Sequence, residues 1–410
     1  MSSPTTPSNY PPGAVSLEPY RSAEIFEAEK NNLFGRAWLL VGREEEVAKP
    51  GDFVVKQVEI LDAAALIVRG KDGVVRAFYN VCPHRANQVV WEERGSTPVF
   101  VCRYHNWSFS TDGTVRGIPD QAAFPGLDKA RCGLPPIRLE IWDGWMFLNF
   151  QAEPEVSLDE YLGELKTYLG GIDYIHAHDA IVIQTRLKCN WKIVADAFAE
   201  AYHIPAIHAV SLKPRFASPD NPFGRPLEVR PIGPHGVNSM YGYGDYAPRE
   251  DQVVEALAFN PAHRSDEGRA AIARFNQHAA INPTGTRNWS MDVNYVFPNT
   301  HLDANPLGFF THQFWPISVN ETRHEARFYV GKPMNIRERF AIEHRMAHAV
   351  DIVLEDLSNV ERTQRGVNSR GTDYMQLSES EMLIQHAATH IGRWTNARTA
   401  REALSDAEVA

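Results

Sequence analysis

The order of hydrophobic and polar positions changes texture along the chain. Residues 1–15, MSSPTTPSNYPPGAV, are rich in Ser and Pro and poor in apolar side chains, which reads as a loose arm. From Ser22 the spacing turns helical: Ile25, Phe26, Leu33, Phe34 and Trp38 are placed for one buried face, with Ser22 and Glu24 as opening residues. Between 41 and about 150, short runs of Val, Ile, Phe and Trp alternate with Gly, Pro and Asp, as in GDFVVKQVEI and WDGWMFLNF. That texture predicts a compact, mostly antiparallel β domain.

Beyond Gln151 the texture is mixed. The pattern predicts a helix over 157–169, a strand in AIVIQTRLKCNW and a helical segment running up to His203. Pro and Gly punctuate 211–248, which reads as long loops, and 249–280 reads as helical. Strand texture returns in WSMDVNYVFPN, FFTHQFWPIS and EARFYVGKP, and a long helix covers about 336–365. Strands and helices in this mixture make an α+β domain.

Composition adds exclusions. At 410 residues the chain has room for two cores, and its net charge of -10 is spread without a basic stripe, which excludes nucleic acid and anionic membrane as partners. The N-terminus has no basic or apolar leader pattern and no stretch is apolar enough to span a bilayer, so a soluble, cytoplasmic protein is expected. Four cysteines, Cys82, Cys102, Cys132 and Cys189, are too few for a disulfide scaffold and are expected as free thiols or metal ligands.

Two of them stand in a pattern. Cys82-x-His84 is followed, after 17 residues, by Cys102-x-x-His105. A structural zinc is the plain reading of two Cys and two His. Each loop here, however, contributes one of each type, whereas zinc fingers group like with like. A Rieske cluster needs that interleaving, because one iron takes both thiolates and the other both imidazoles.

A second set lies downstream. In NWKIVADAFAEAYHIPAIH, His203 and His208 stand five apart, which on an unbroken helix would point them about 140° from each other. Pro205 cannot sit inside a regular helix, so the helix should end near His203 and the turn can return His208 to the same point. Alone, such a pair more often serves packing or capping. A carboxylate would complete the two-His-one-carboxylate set of non-haem Fe(II) oxygenases, which leaves positions open for O₂. Asp356 fits: Ile352, Val353 and Val360 surround it on the apolar face of the long helix. Glu355, among Asp351, Ser358 and Asn359, reads as an ordinary solvated residue. His344 and His348 form a further i, i+4 pair without a third ligand and read as partly exposed helix residues.

These motifs together resemble the Rieske-type ring-hydroxylating oxygenase family, alpha (catalytic) subunit. The loops match its C-x-H and C-x-x-H pattern, and Tyr202-His203 with His208, then Asp356 followed by Gln364-Arg365-Gly366, match its catalytic segment. Ala86, Asn106 and Arg103 depart from the family's usual Gly, Gly and Pro. Respiratory Rieske proteins carry an additional cysteine in each loop, which is absent here.

The resemblance implies a 2Fe-2S cluster on Cys82, His84, Cys102 and His105, and a mononuclear Fe(II) on His203, His208 and Asp356. It implies an arm over 1–20, a helix over 21–40 packing on the catalytic domain, an all-β Rieske domain over 41–155, and an α+β catalytic domain of helix-grip type, with an antiparallel sheet, over 156–410. Glu200, three residues before His203, implies a bridge from that histidine to His105 of a neighbouring subunit; a surface glutamate is the structural alternative. Asp196, one turn earlier, would support it. A homotrimer or an α₃β₃ assembly follows from the same resemblance.

No G-x-G-x-x-G turn follows a strand, so NAD(P)H and flavin belong to a separate reductase or ferredoxin system. Hydroxylation or dihydroxylation of an aromatic or hydrophobic small molecule is the implied reaction, with N- or O-demethylation as the alternative and a pure electron-transfer protein as the alternative of another class. Met240, Tyr241, Tyr243, Trp289, Val293, Tyr295, Phe297, Phe310 and Trp315 are candidate pocket residues that serve equally well as core.

Overall fold

The computed structural model describes residues 13–174, 180–260 and 264–405. They fall into two compact units: Lys30–Tyr161, and a second that joins the segment ending at Glu29 to the chain from Leu162 onward. Residues 1–12 of the expected arm lie outside the described residues. Its end is not loose. Ala14–Ser16 is a strand paired antiparallel with Tyr374–Gln376, and Ala14, Val15, Leu17 and Tyr20 are buried. Those apolar positions outweigh the Ser/Pro texture around them.

The helix expected from Ser22 forms as Ala23–Ala28, with Ser22 Oγ accepting from Ile25 N, and widens into a π-helical stretch, Glu29–Phe34. The division between the two units falls inside this stretch.

In Lys30–Tyr161, seven antiparallel strands form one sheet in the order Leu39–Arg43, Trp145–Asn149, Pro136–Trp142, Val75–Tyr79, Ala63–Arg69, Asp52–Val58 and Arg94–Ser96. A three-stranded sheet of Val99–Val101, Ser108–Ser110 and Val115–Gly117 accompanies it. Phe53, Leu66, Val68, Phe78, Phe100 and Phe109 fill the core, and Cys82 and Cys102 are part of the same cluster.

The second unit is built on another seven-stranded antiparallel sheet: β1 (Ala180–Leu187), β2 (Glu228–Ile232), β3 (His235–Tyr241), β4 (Trp289–Val296), β5 (Thr300–Asn305), β6 (Gly308–Ser318) and β7 (Glu321–Tyr329). Their order across the sheet is β1-β7-β6-β5-β4-β3-β2. Helix α1 (Trp191–Ala197) packs on β6 and β7 and against α2 (Ile336–Asn368), while α3 (Met382–Asn396) packs on β2 and β3. Two expected helices are shorter than their patterns: 157–169 breaks at Gly163, and 249–280 yields Val253–Ala258 and Asp266–Phe275. No helix among the described residues is long and apolar enough to cross a membrane.

Candidate metal centres

The loops at 82–87 and 102–107 are conformational twins. In the first, Ala86 N donates to Cys82 O and Cys82 N to Asn87 O; in the second, Asn106 N donates to Cys102 O and Cys102 N to Trp107 O. The fifth residue of each is left-handed, Ala86 at φ 55° and Asn106 at φ 59°. These are two of the positions where the family's glycines stand. Asn tolerates this conformation better than Ala.

Cys82 and Cys102 are buried and interact with each other, whereas the His84 and His105 rings approach to 4.5 Å. Like therefore meets like across the two loops. A single zinc, with bonds of about 2.0–2.3 Å, would draw all four donors to within about 4 Å of one another. Among the described residues, the one set of three or more His, Cys, Asp or Glu donors lying within 4.8 Å of one another is elsewhere. The arrangement fits a group with a sulfur end and a nitrogen end, as a 2Fe-2S cluster has. Trp107 stacks on His84 at 5.0 Å and 2°, with Phe124 edge-on at 5.8 Å, which fixes the imidazole plane. Burial pushes the Cys82 thiol up to about 11, so that thiol stays protonated until a metal displaces the proton.

The second set converges from α2 and from the segment after α1. His203, His208 and Asp356 place their donor atoms within 4.8 Å of one another. His208 Nε2 lies 2.9 Å and His203 Nε2 3.3 Å from Asp356 Oδ1. A buried carboxylate and two imidazole nitrogens aimed at one point suit a divalent metal with open positions. Burial opposes charge on Asp356, but the two histidines more than offset this and hold its carboxyl below the usual range. Burial likewise opposes protonation of His203, and Asp356 and Glu200 overcome it, pushing the imidazole up to about 10.

The local path differs from the expected one. Helix α1 ends at Ala197, well before His203, and Pro205 stands in the first turn of a new helical turn, Ile204–Ile207, rather than closing the old one. Glu200 reaches His203 without a shared helix: its Oε2 accepts from Tyr202 N and, at 3.2 Å, from His203 N, while Oε1 bonds His203 Nδ1. Asp196 bonds none of these residues; it accepts from Tyr20 Oη at 2.8 Å, and burial pushes it up to about 7.

Glu355 corrects the solvated reading. Its Oε2 lies 2.6 Å from His208 Nδ1 and also accepts from Ser211 Oγ, so both imidazoles carry a carboxylate on the nitrogen away from Asp356. The signal available in the sequence was the Glu355-Asp356 pair itself: a metal-bound histidine needs a partner on its other nitrogen, and the neighbouring acid is placed to supply it. His344 stacks on Phe340, and among the described residues neither it nor His348 joins a three-donor set.

Of the candidate pocket residues, Met240, Val293, Tyr295 and Phe310 share one face of the sheet by strand register, and Trp315, next to Phe314 of that face, points away beneath Arg323. Sequence reading passed over His301, Asp303, His312 and His324, which lie on that same face.

Comparison with known proteins follows the same division. The Rieske [2Fe-2S] domain model matches residues 37–134, and the model of the ring hydroxylating alpha subunit (catalytic domain) matches 168–397, more than half of the chain. The large oxygenase component of a naphthalene 1,2-dioxygenase system of Pseudomonas aeruginosa is 30% identical over 319 residues, covering 70% of this chain and 68% of that protein. The carnitine monooxygenase oxygenase subunit of Escherichia coli (strain K12) is 34% identical over 190 residues, 46% of this chain and 50% of that one. The chain thus spans about half the length of that relative. Naphthalene 1,2-dioxygenase from Rhodococcus sp. bound to indole shares the fold at TM-score 0.74 and 21% identity, covering 94% of this chain and 95% of its own. A quaternary ammonium Rieske monooxygenase in complex with L-carnitine does so at 0.72 and 21%, covering 96% and 99%.

Proposed function

The chain belongs to the Rieske-type ring-hydroxylating alpha-subunit family, and from that premise we propose that it is the oxygenase component of a multicomponent system that oxidises a small molecule with O₂ and external electrons. The observation that carries this reading is the convergence of His203, His208 and Asp356 within 4.8 Å, in a chain that also holds the paired loops of Cys82, His84, Cys102 and His105. When bound, the 2Fe-2S cluster supplies single electrons and the mononuclear iron supplies O₂ activation.

The residues of this chain then divide the remaining work. Trp107 and Phe124 hold His84 in plane, and Cys82 and Cys102 keep the sulfur end buried. Glu200 and Glu355 each hold the Nδ1 of one histidine, so that both Nε2 atoms face Asp356. Exposed Trp91 and Tyr104 stand beside the cluster loops, with Arg103 over the first ring and Arg85 over the second. That surface suits contact with a neighbouring subunit or a ferredoxin or reductase. A homotrimer or α₃β₃ assembly, with Glu200 bridging to the neighbour's His105, completes the proposal. Monooxygenation, with N- or O-demethylation as one outcome, is the second reading, favoured by the identity to a carnitine monooxygenase subunit.

Metal content tests this. About three irons and two sulfides per chain are expected, with Asp356→Ala keeping the cluster absorbance but losing one iron and all turnover. Zinc without sulfide, or oxygenation retained in Asp356→Ala, overturns it.

A further inference from the structure

The sheet face that carries Phe310 holds a polar group among its apolar residues. Strand register puts His301 and Asp303 of β5, His312 of β6 and His324 of β7 on one face, along with Asn238 of β3. Phe198, five residues before His203, lies over this group, stacking on His312 at 4.4 Å and on His324 at 5.1 Å.

Their hydrogen bonding is incomplete. His312 Nδ1 meets His324 Nε2 at 3.0 Å, while its Nε2 stops 3.9 Å short of Asp303 Oδ2. Asp303 Oδ1, His301 Nδ1, His324 Nδ1 and Asn238 Oδ1 have no partner, although each of these residues is at most 2% exposed. Buried polar atoms are rarely left in this state, because each forfeits its hydration for nothing. Phe198 and Phe310 remain only half-buried beside them.

Burial also settles the charge. It pushes His301 down to about 3 and His324 down to about 4, holds His312 well below the usual imidazole range, and holds the Asp303 carboxyl well above the usual carboxylate range. Burial thus disfavours charge on every member of a group that offers both donors and acceptors beside two aromatic rings.

Resting on the oxygenase reading, we infer that the substrate is a neutral aromatic compound bearing a hydroxyl or amine group, its ring against Phe198 and Phe310 and its O–H or N–H at Asp303 and His312. Asp303 is the specificity-determining residue in this proposal. A bare hydrocarbon would leave the same atoms unpaired.

Binding without turnover decides it. The anaerobic holoenzyme is titrated calorimetrically with benzene, phenol and aniline, and with naphthalene, 1-naphthol and 1-naphthylamine. In at least one series the donor-bearing members are expected to bind tenfold or more tighter than the parent hydrocarbon. Asp303→Leu should bring that ratio to within twofold. Equal affinities in the wild-type protein, a preference that survives Asp303→Leu, or no binding by any donor-bearing probe overturns the inference; the wild-type comparison holds even if the variant fails to fold. Iron and sulfide counts on the same sample judge the oxygenase reading separately, so a protein with both centres and no preference refutes only the substrate class.

Discussion

His208 Nδ1 lies 2.6 Å from Glu355 Oε2, on the side of the ring opposite Asp356. Adjacent residues of α2 thus grip one imidazole from two directions. Glu355 also accepts from Ser211 Oγ, so its carboxylate is held rather than free to turn away. Such partners fix ring orientation and raise ligand basicity, and losing one typically weakens metal binding by about 10–100-fold. Glu355→Ala should weaken Fe(II) retention at the second centre by that factor, with cluster absorbance unchanged. Fe(II) titration of the metal-depleted protein measures it, and wild-type affinity would return Glu355 to the surface.

Glu200 holds the other histidine, yet it should fail differently. Glu200→Gln keeps the length and one acceptor for the Tyr202 and His203 amides, so iron should stay within a few-fold of the wild-type amount. Electron delivery between the centres should fall by about tenfold or more, given the size of effects from such hydrogen-bonded partners. Single-turnover product formation by the reduced protein reads this directly. A wild-type rate would leave Glu200 as a cap for the turn before His203.

Much of this was legible in the sequence where chemistry is tied to spacing. Cys82, His84, Cys102 and His105 reveal themselves because two loops repeat the same pairing, and Asp356 because an acid on an apolar helical stripe demands a partner. Glu355 escaped because its partner, His208, is 147 residues away, and its own neighbours Asp351, Ser358 and Asn359 outweighed the hint in its adjacency to Asp356. His301, Asp303, His312 and His324 escaped for a related reason. They are single polar residues on different strands, and only register shows that they share a face. The helix before His203 was drawn too long because apolar spacing carried on through a segment that Glu200 organises as a turn.

Ala86 and Asn106 occupy matched left-handed positions but should respond unequally to glycine. A left-handed Ala costs roughly 1–2 kcal/mol, whereas Asn is tolerated there. Glycine relieves that strain and gives back part of it through the freer unfolded chain. Ala86→Gly should therefore stabilise the Lys30–Tyr161 unit by about 0.5–1 kcal/mol, and Asn106→Gly should leave it nearly unchanged. Denaturant unfolding followed by cluster absorbance checks both. Equal responses would mean that the side chains, not the backbone, decide the stability of these loops.

The buried histidines predict how the second unit meets acid. Burial lowers the folded value of His301 to about 3 and that of His324 to about 4. Unfolded histidine binds a proton below about 6.5. Between those limits the unfolded chain holds more protons than the folded one, so stability is complete above about 6.5 and is lost as the pH falls, by roughly 1.4 kcal/mol per unit for each histidine. At pH 5 that makes about 2 kcal/mol for His301 alone. Carboxylates titrate in the same range, so the informative quantity is a difference. His301→Gln should reduce the slope of unfolding free energy against pH by about one proton between pH 6 and 4.5. An unchanged slope would mean that His301 is already protonated in the fold, its Nδ1 finding an acceptor on the face shared with Asp303 and His312.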